Sequence, residues 1–257
     1  MGKSRLLGST TLVSLLAGSP VMAADLAPVA PVKYREAAQL PWTGFYVGAN
    51  GGWAESADPR VDCLGVAVFG PCATAFPAPK AKGFEYGLQA GYNWQVGNFV
   101  LGVEGDINKL TAQGLASFPG IDPGKGPDQL SSRYDWIGTV RGRAGVTAGS
   151  ALFYATGGYA YGRVGHHYTY ALGSPANTQN FDISEGRSGW TVGGGAEYAL
   201  NAHWSLKAEY LYVHLAASNL DVSGLNTINF GAFPPGTNFL RYRNDLNIAR
   251  VGVNYRF

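Results

Sequence analysis

Between Gly83 and Gln95 the side chains fall into two sets by parity. Phe84, Tyr86, Leu88, Ala90, Tyr92 and Trp94 form one set; Glu85, Gly87, Gln89, Gly91, Asn93 and Gln95 form the other. A period of two sends successive side chains to opposite sides of an extended chain, so this run predicts a strand with one apolar and one polar face. The same pattern predicts strands over Gly44–Ala54, Phe99–Lys109, Arg133–Thr147, Ser188–Leu200 and His203–Ala217. Ala151–Gly165 also reads as a strand, though aromatics stand on both faces: Phe153, Tyr159 and Tyr161 on one, Tyr154 on the other. A last strand ends at Phe257, with Ala249, Val251, Val253, Tyr255 and Phe257 on its apolar face and Arg250, Gly252, Asn254 and Arg256 opposite. These eight segments are long for a soluble sandwich, whose strands average about five or six residues. They suit tilted membrane strands, which need about 9–11 residues in hydrocarbon.

The connections alternate in length. Val96-Gly97-Asn98, Ala148-Gly149-Ser150 and Asn201-Ala202 are tight turns, whereas 55–82, 110–132, 166–187 and 218–243 are long and contain Pro and Gly. Tight periplasmic turns alternating with extended outer loops are the mark of an outer-membrane barrel. The expectation is therefore an all-β fold: an eight-stranded antiparallel transmembrane β-barrel over residues 42–257, with four long outer loops and both termini on the periplasmic side. Closure is also a physical demand, because an open sheet edge in lipid leaves backbone polar groups unpaired at several kcal/mol each.

Composition agrees. Hydrophobic residues make up 46% of the chain and aromatics 13%, with 37 Gly and only 2 Met, which favours short alternating strands over helices. Residues 1–23 read as a secretory signal: Lys3 and Arg5, then an apolar run to Ala17, then Val21-Met22-Ala23 as a small-residue cleavage site. Residues 24–41 form a periplasmic tail rich in Ala and Pro. Of 19 Lys+Arg, Lys3 and Arg5 lie in this leader, so the remaining 17 equal the 17 Asp+Glu. Such a neutral chain has no basic stripe for a nucleic acid. The implied partners are outer-membrane lipid and lipopolysaccharide.

On the polar parity stand five acids, Glu85, Glu104, Asp106, Glu197 and Glu209, and five bases, Arg141, Arg143, Lys207, Arg250 and Arg256. Inside an eight-stranded barrel there is little room beyond the side chains themselves, so these groups are expected to pair and pack the lumen. Trp53, Trp94, Trp136, Trp190, Trp204, Tyr255 and Phe257 recur near segment ends, as interfacial aromatic girdles do. Cys63 and Cys72 share the first long connection and predict a disulfide in an exported chain. His166 and His167 open the third, beside Tyr168 and Tyr170; they are candidates for a haem or metal ligand, but an exposed polar loop is the favoured reading, since adjacent strand residues point to opposite sides. No catalytic constellation appears. Gly193-Gly194-Gly195 precedes no helix, and Ser188, His203 and Asp182 lie in different segments, so neither an enzyme nor a resident cofactor is expected.

Several segments resemble one family. Trp42-Thr43-Gly44-Phe45-Tyr46-Val47-Gly48-Ala49-Asn50-Gly51-Gly52-Trp53 resembles the opening strand of the alphaproteobacterial RopB-type major outer-membrane proteins. Gly87–Trp94, Tyr154–Gly162, Gly189–Tyr198 and the final strand resemble their second, fifth, sixth and last strands. The resemblance implies a porin-like, OmpA-like small barrel in the outer membrane. It also implies a part in envelope integrity, with haem binding or surface antigenicity in some members, and no catalytic residues. Tyr255 and Phe257 would then serve as the signal read by the outer-membrane assembly machinery. A small diffusion pore and a haem or other ligand receptor acting through the outer loops are the alternatives.

Overall fold

The computed structural model describes residues 41–65, 76–119, 126–174, 177–224, 226–227, 231–232 and 236–257. The expected leader, most of the tail 24–41 and Cys72 lie outside the described residues. Eight long strands carry the fold: β1 (Gly44–Ser56), β2 (Lys82–Val96), β3 (Phe99–Leu110), β4 (Pro127–Ala148), β5 (Ala151–Ser174), β6 (Asn177–Ala199), β7 (Trp204–Asp221) and β8 (Asn238–Arg256). Each pairs antiparallel with its neighbours in sequence. β1 pairs with β8 as well as β2, which closes the ring: Gly52 stands between Glu85 on one side and Arg250 on the other.

The turns at one end are set locally. Gly97 and Gly149 each adopt φ of 60° at the first position of a two-residue turn, a conformation in which a side chain is strained. At the third turn the Asn201 side chain accepts hydrogen bonds from the backbone N–H groups of His203 and Trp204, both at 2.9 Å.

From these turns the strands first show the alternation the sequence predicts. Phe45, Leu88, Phe99, Val103, Val140, Phe153 and Val251 point outward and are exposed, while the intervening polar residues are buried. Farther along, the alternation inverts. On β5, Val164, Tyr168 and Tyr170 are buried inside while Arg163 is exposed outside. On β7, Leu211, Val213 and Leu215 point inward; on β8, Leu246 and Ile248 do, with Arg241 and Arg243 outside. The change occurs at a belt of aromatic contacts: Trp53 against Phe84 at 5.0 Å, Trp136 against Tyr161 at 5.7 Å, and Trp190 against Tyr212 at 5.5 Å. One ring of strands thus passes from hydrocarbon, which requires an apolar exterior, into water, where apolar groups can be buried only inside.

The four long outer loops therefore need correcting: most of those residues are paired strand. The stretch Gln113–Pro119 prolongs β3 and pairs with Pro127–Arg133, while β5 runs to Ser174 and β6 begins at Asn177. Val61–Gly65 pairs with residues 238–242 of β8. In sequence these extensions look like loops because their apolar parity is opposite to that of the membrane segment.

The interior is filled in layers. Nearest the tight turns lie Trp42, Val100, Leu152, Tyr154 and Ala199. A charged layer follows, then an apolar layer that includes Tyr134, Ile137, Leu211, Leu215, Leu246 and Ile248. Beyond His166 and Asn244, a last apolar cluster of Val61, Leu130, Tyr168, Tyr170, Leu220, Val222, Leu240 and Tyr242 fills the projecting end.

Candidate functional site

The ten charged residues singled out on the polar parity are all buried in the lumen. Eight of them form one network. Arg141 of β4 pairs with its cross-strand neighbour Glu104, with Asp106 at 2.9 Å and with Glu209 at 3.2 Å. Arg250 of β8 pairs with its own cross-strand neighbour Glu209 at 2.6 Å and with Asp106 at 3.2 Å. Lys207 reaches Glu104 at 3.0 Å, and Arg143 binds Glu197 at 2.9 Å. Four bases thus face four acids at the centre of the lumen. Such burial is tolerable only when the remaining hydrogen-bonding capacity is met.

Neutral side chains meet most of it. Tyr46 donates to Glu104 at 2.8 Å, Tyr154 to Glu209 at 2.9 Å, Thr139 to Asp106 at 2.7 Å and Ser205 to Glu197 at 2.5 Å. A relay of amides spans the wall: Asn50 donates to Gln89, Gln89 to Asn254, and Asn254 to Glu197, at 2.6–2.8 Å. Arg143 also lies 4.2 Å from the ring centre of Tyr154, a cation–π contact. Sequence reasoning by charge alone overlooks these neutral partners, yet all share the inward parity of the charged residues.

The other two charged residues stand apart. Arg256 donates to the Ala202 carbonyl at 3.1 Å and lies 4.9 Å from the Trp42 ring centre, near the tight turns. Glu85 has neither an ion pair nor a hydrogen-bond partner for either carboxylate oxygen among the described residues, although it is 1% exposed.

His166 and His167 point to opposite sides of β5. His166 is buried inside, with Nδ1 2.9 Å from Ser132 Oγ and Nε2 3.0 Å from Asn244 Oδ1, and it stacks on Tyr242 at 4.0 Å. The Asn244 amide donates to Ala216 O and Ser218 Oγ, so its oxygen faces the imidazole and Nε2 carries the hydrogen. Burial, reinforced by the Arg187 charge and opposed by the Asn244 hydrogen bond, lowers the His166 pKa to about 4. His167 lies on the outer wall with Nδ1 2.6 Å from Asp182 and Nε2 2.8 Å from Thr169. Among the described residues no three His, Cys, Asp or Glu side chains gather as a metal site. Cys63 packs half-buried against the outermost apolar cluster. Tyr255 contacts Phe257 at 5.3 Å and Trp204 at 5.1 Å, in a girdle at the turn end of the barrel.

A sequence model of the outer membrane protein beta-barrel domain matches residues 11–257. The chain is 35% identical over 250 residues to the 31 kDa outer-membrane immunogenic protein of Brucella melitensis, covering 95% of this chain and 94% of that one. It is 28% identical to the 22 kDa outer membrane protein of Rhizobium leguminosarum bv. viciae, over 84% of this chain and 78% of that protein. Among solved structures, the outer membrane protein OprG of Pseudomonas aeruginosa shares the fold, with a TM-score of 0.51 and 15% identity over 84% of this chain and 96% of the other.

Proposed function

The chain belongs to the outer membrane protein β-barrel family, and from that premise we propose that it acts as a sealed structural barrel. It stiffens the outer membrane and holds paired hairpins beyond the lipid, where they are presented to the surroundings. The observation that carries this reading is the four-by-four ion-pair layer enclosed between apolar layers. A diffusion pore needs a continuous wet path, and a buried, mutually paired charge network between two apolar layers opposes one. Curated relatives are named as immunogenic, which fits projecting hairpins as the presented surface. Tyr255 and Phe257, together with Trp204, offer the assembly machinery an aromatic end to the last strand. Planar-bilayer recording on the full chain tests the proposal: the wild-type barrel inserts but gives no steady conductance. Large, ion-selective steps would overturn it in favour of the pore, and haem-dependent spectral shifts in the purified barrel would favour the receptor.

A further inference from the structure

Just beyond the aromatic belt, one half of the outer wall carries a concentration of outward-facing cations. Lys109, Trp136 and Arg163 lie in one cross-strand row on β3, β4 and β5. The next row outward holds Lys82, Gln113, Arg133, Gly165 and Ser184. Strands lie about 4.7–4.9 Å apart, so Lys109 and Arg163 are separated by about 10 Å at Cα. Arg133 and Arg163 are diagonal neighbours at about 7–8 Å. Long side chains on this spacing can converge on one anionic group.

From the Arg133 row outward, on the side away from the belt, the wall is concave. A cleft of about 620 Å³ is bordered by Gln113, Ser131, Arg133, Gly165, Ser184 and the His167–Asp182 pair, with Arg133 at its inner edge. Its floor is the bare backbone of Gly165, and a Cβ there would lie 3.5 Å from Arg133 Nε, so the guanidinium leans over the floor. Arg163 donates to Ser184 Oγ at 3.2 Å on the near border. Three acids are close. Asp135 holds Arg133 at 3.2 Å, Asp182 holds His167 at 2.6 Å, and Glu55 stands across from Lys82. Lys109 and Arg163 have no carboxylate within ion-pair distance among the described residues, and nor does Lys82. The opposite wall at this height is different: His214 pairs with Asp245 at 2.6 Å, and Arg243 with Asp58 at 3.0 Å.

We propose that this basic rim and the cleft outward of it together bind the anionic headgroup of a lipopolysaccharide molecule in the outer leaflet, with Lys109, Arg133 and Arg163 as the cationic contacts on the lipid side and the cleft taking the adjoining sugars. Position selects this occupant over a soluble anion. The aromatic belt, Trp136 and Tyr161 above all, marks the height of lipid headgroups, and the apolar wall below it, with Val140 and Tyr159, accepts acyl chains. Arg pairs bidentately with phosphate or carboxylate oxygens, while Ser131, Ser184 and Gln113 can hydrogen-bond neighbouring sugar hydroxyls.

The test refolds the full chain into phosphatidylcholine bilayers containing bisphosphorylated or dephosphorylated lipid A. Native mass spectrometry then scores lipid retained on the barrel, and heat-modifiable gel migration confirms folding of each variant. The wild type is expected to retain bisphosphorylated lipid A, weakening as salt rises, and to lose it when the phosphates are removed. The double variant Arg133→Ala/Arg163→Ala should bind it about tenfold or more weakly, while Arg243→Ala on the opposite wall binds normally. Equal retention of dephosphorylated lipid A, or an unchanged double variant, would overturn the site. Displacement of lipid A by millimolar inorganic phosphate would reassign it to a free anion. If the double variant fails to fold, Lys109→Ala is scored in the same way.

Discussion

Two buried titratable side chains show how the interior weighs charge. His166 is neutral because burial keeps its pKa near 4, against 6.5 for the free side chain. The unfolded chain therefore takes up a proton at this site first as pH falls. Stability from this residue is complete above about 6.5, declines between 6.5 and about 4, and is level below, for a total on the order of 3 kcal/mol. In chemical denaturation at stepped pH, His166→Gln should flatten the loss of stability across that window; an unchanged slope would mean the imidazole is protonated in the folded barrel. Glu85 presents the opposite case, a carboxylate with no hydrogen-bond partner among the described residues. Glu85→Gln should leave stability unchanged or raise it by about 1–2 kcal/mol. Glu209→Gln, which strips Arg141 and Arg250 of a partner, should cost about 3–5 kcal/mol in the same assay. A similar loss from both would imply that Glu85 has a partner after all.

A single strand meets two solvents, and its alternation records the boundary. On β7, Ala208 and Ala216 both face outward, eight positions apart, one among lipid-facing Leu206 and Tyr210 and the other beyond His214. Arginine at a bilayer-midplane site costs about 2–4 kcal/mol, falling to about 0–1 near the interface. Ala208→Arg should therefore lower the unfolding free energy by about 2–4 kcal/mol and Ala216→Arg by less than about 1. Refolding titrations in lipid vesicles measure both; equal costs would move the boundary. The same inversion explains the outer extensions. Their backbones continue the ladder into water because Leu215, Leu246, Val164 and their neighbours can be buried inside once lipid no longer surrounds the wall.

For the whole molecule, the ring is sealed by consensus among many strands. Arg141 bridges Glu104, Asp106 and Glu209, which come from β3 and β7, and Arg250 reaches the same three from β8. Arg141→Ala leaves those carboxylates short of a partner and should cost about 3–5 kcal/mol. It should also admit water into the central layer and loosen the apolar layers packed on either side, so that they part only transiently. Bilayer recordings should then show brief, flickering events where the wild type is silent. Steady conductance equal in both proteins would remove the seal from the network.

The period-two pattern of Phe84–Gln95 and its counterparts, with three tight turns, determined the membrane segment of all eight strands, because lipid outside and a narrow lumen inside impose opposite polarities on alternate residues. Parity also picked out ten charges that lie buried in the lumen, but not Asp128 or Asp245, which are buried as well. Pairing was another matter. Lys207 stands across from Glu197 in register yet reaches Glu104, and Arg143 takes Glu197 from two strands away. Those choices depend on closure, which brings nonadjacent strands within a side chain's length across the lumen. The extensions past the aromatic belt were likewise illegible as strands, since their apolar side is the inner one. That side has meaning only once a ring exists to enclose it. Even the lack of a partner for Glu85 among the described residues and the neutrality of His166 follow from what the closed barrel places around them.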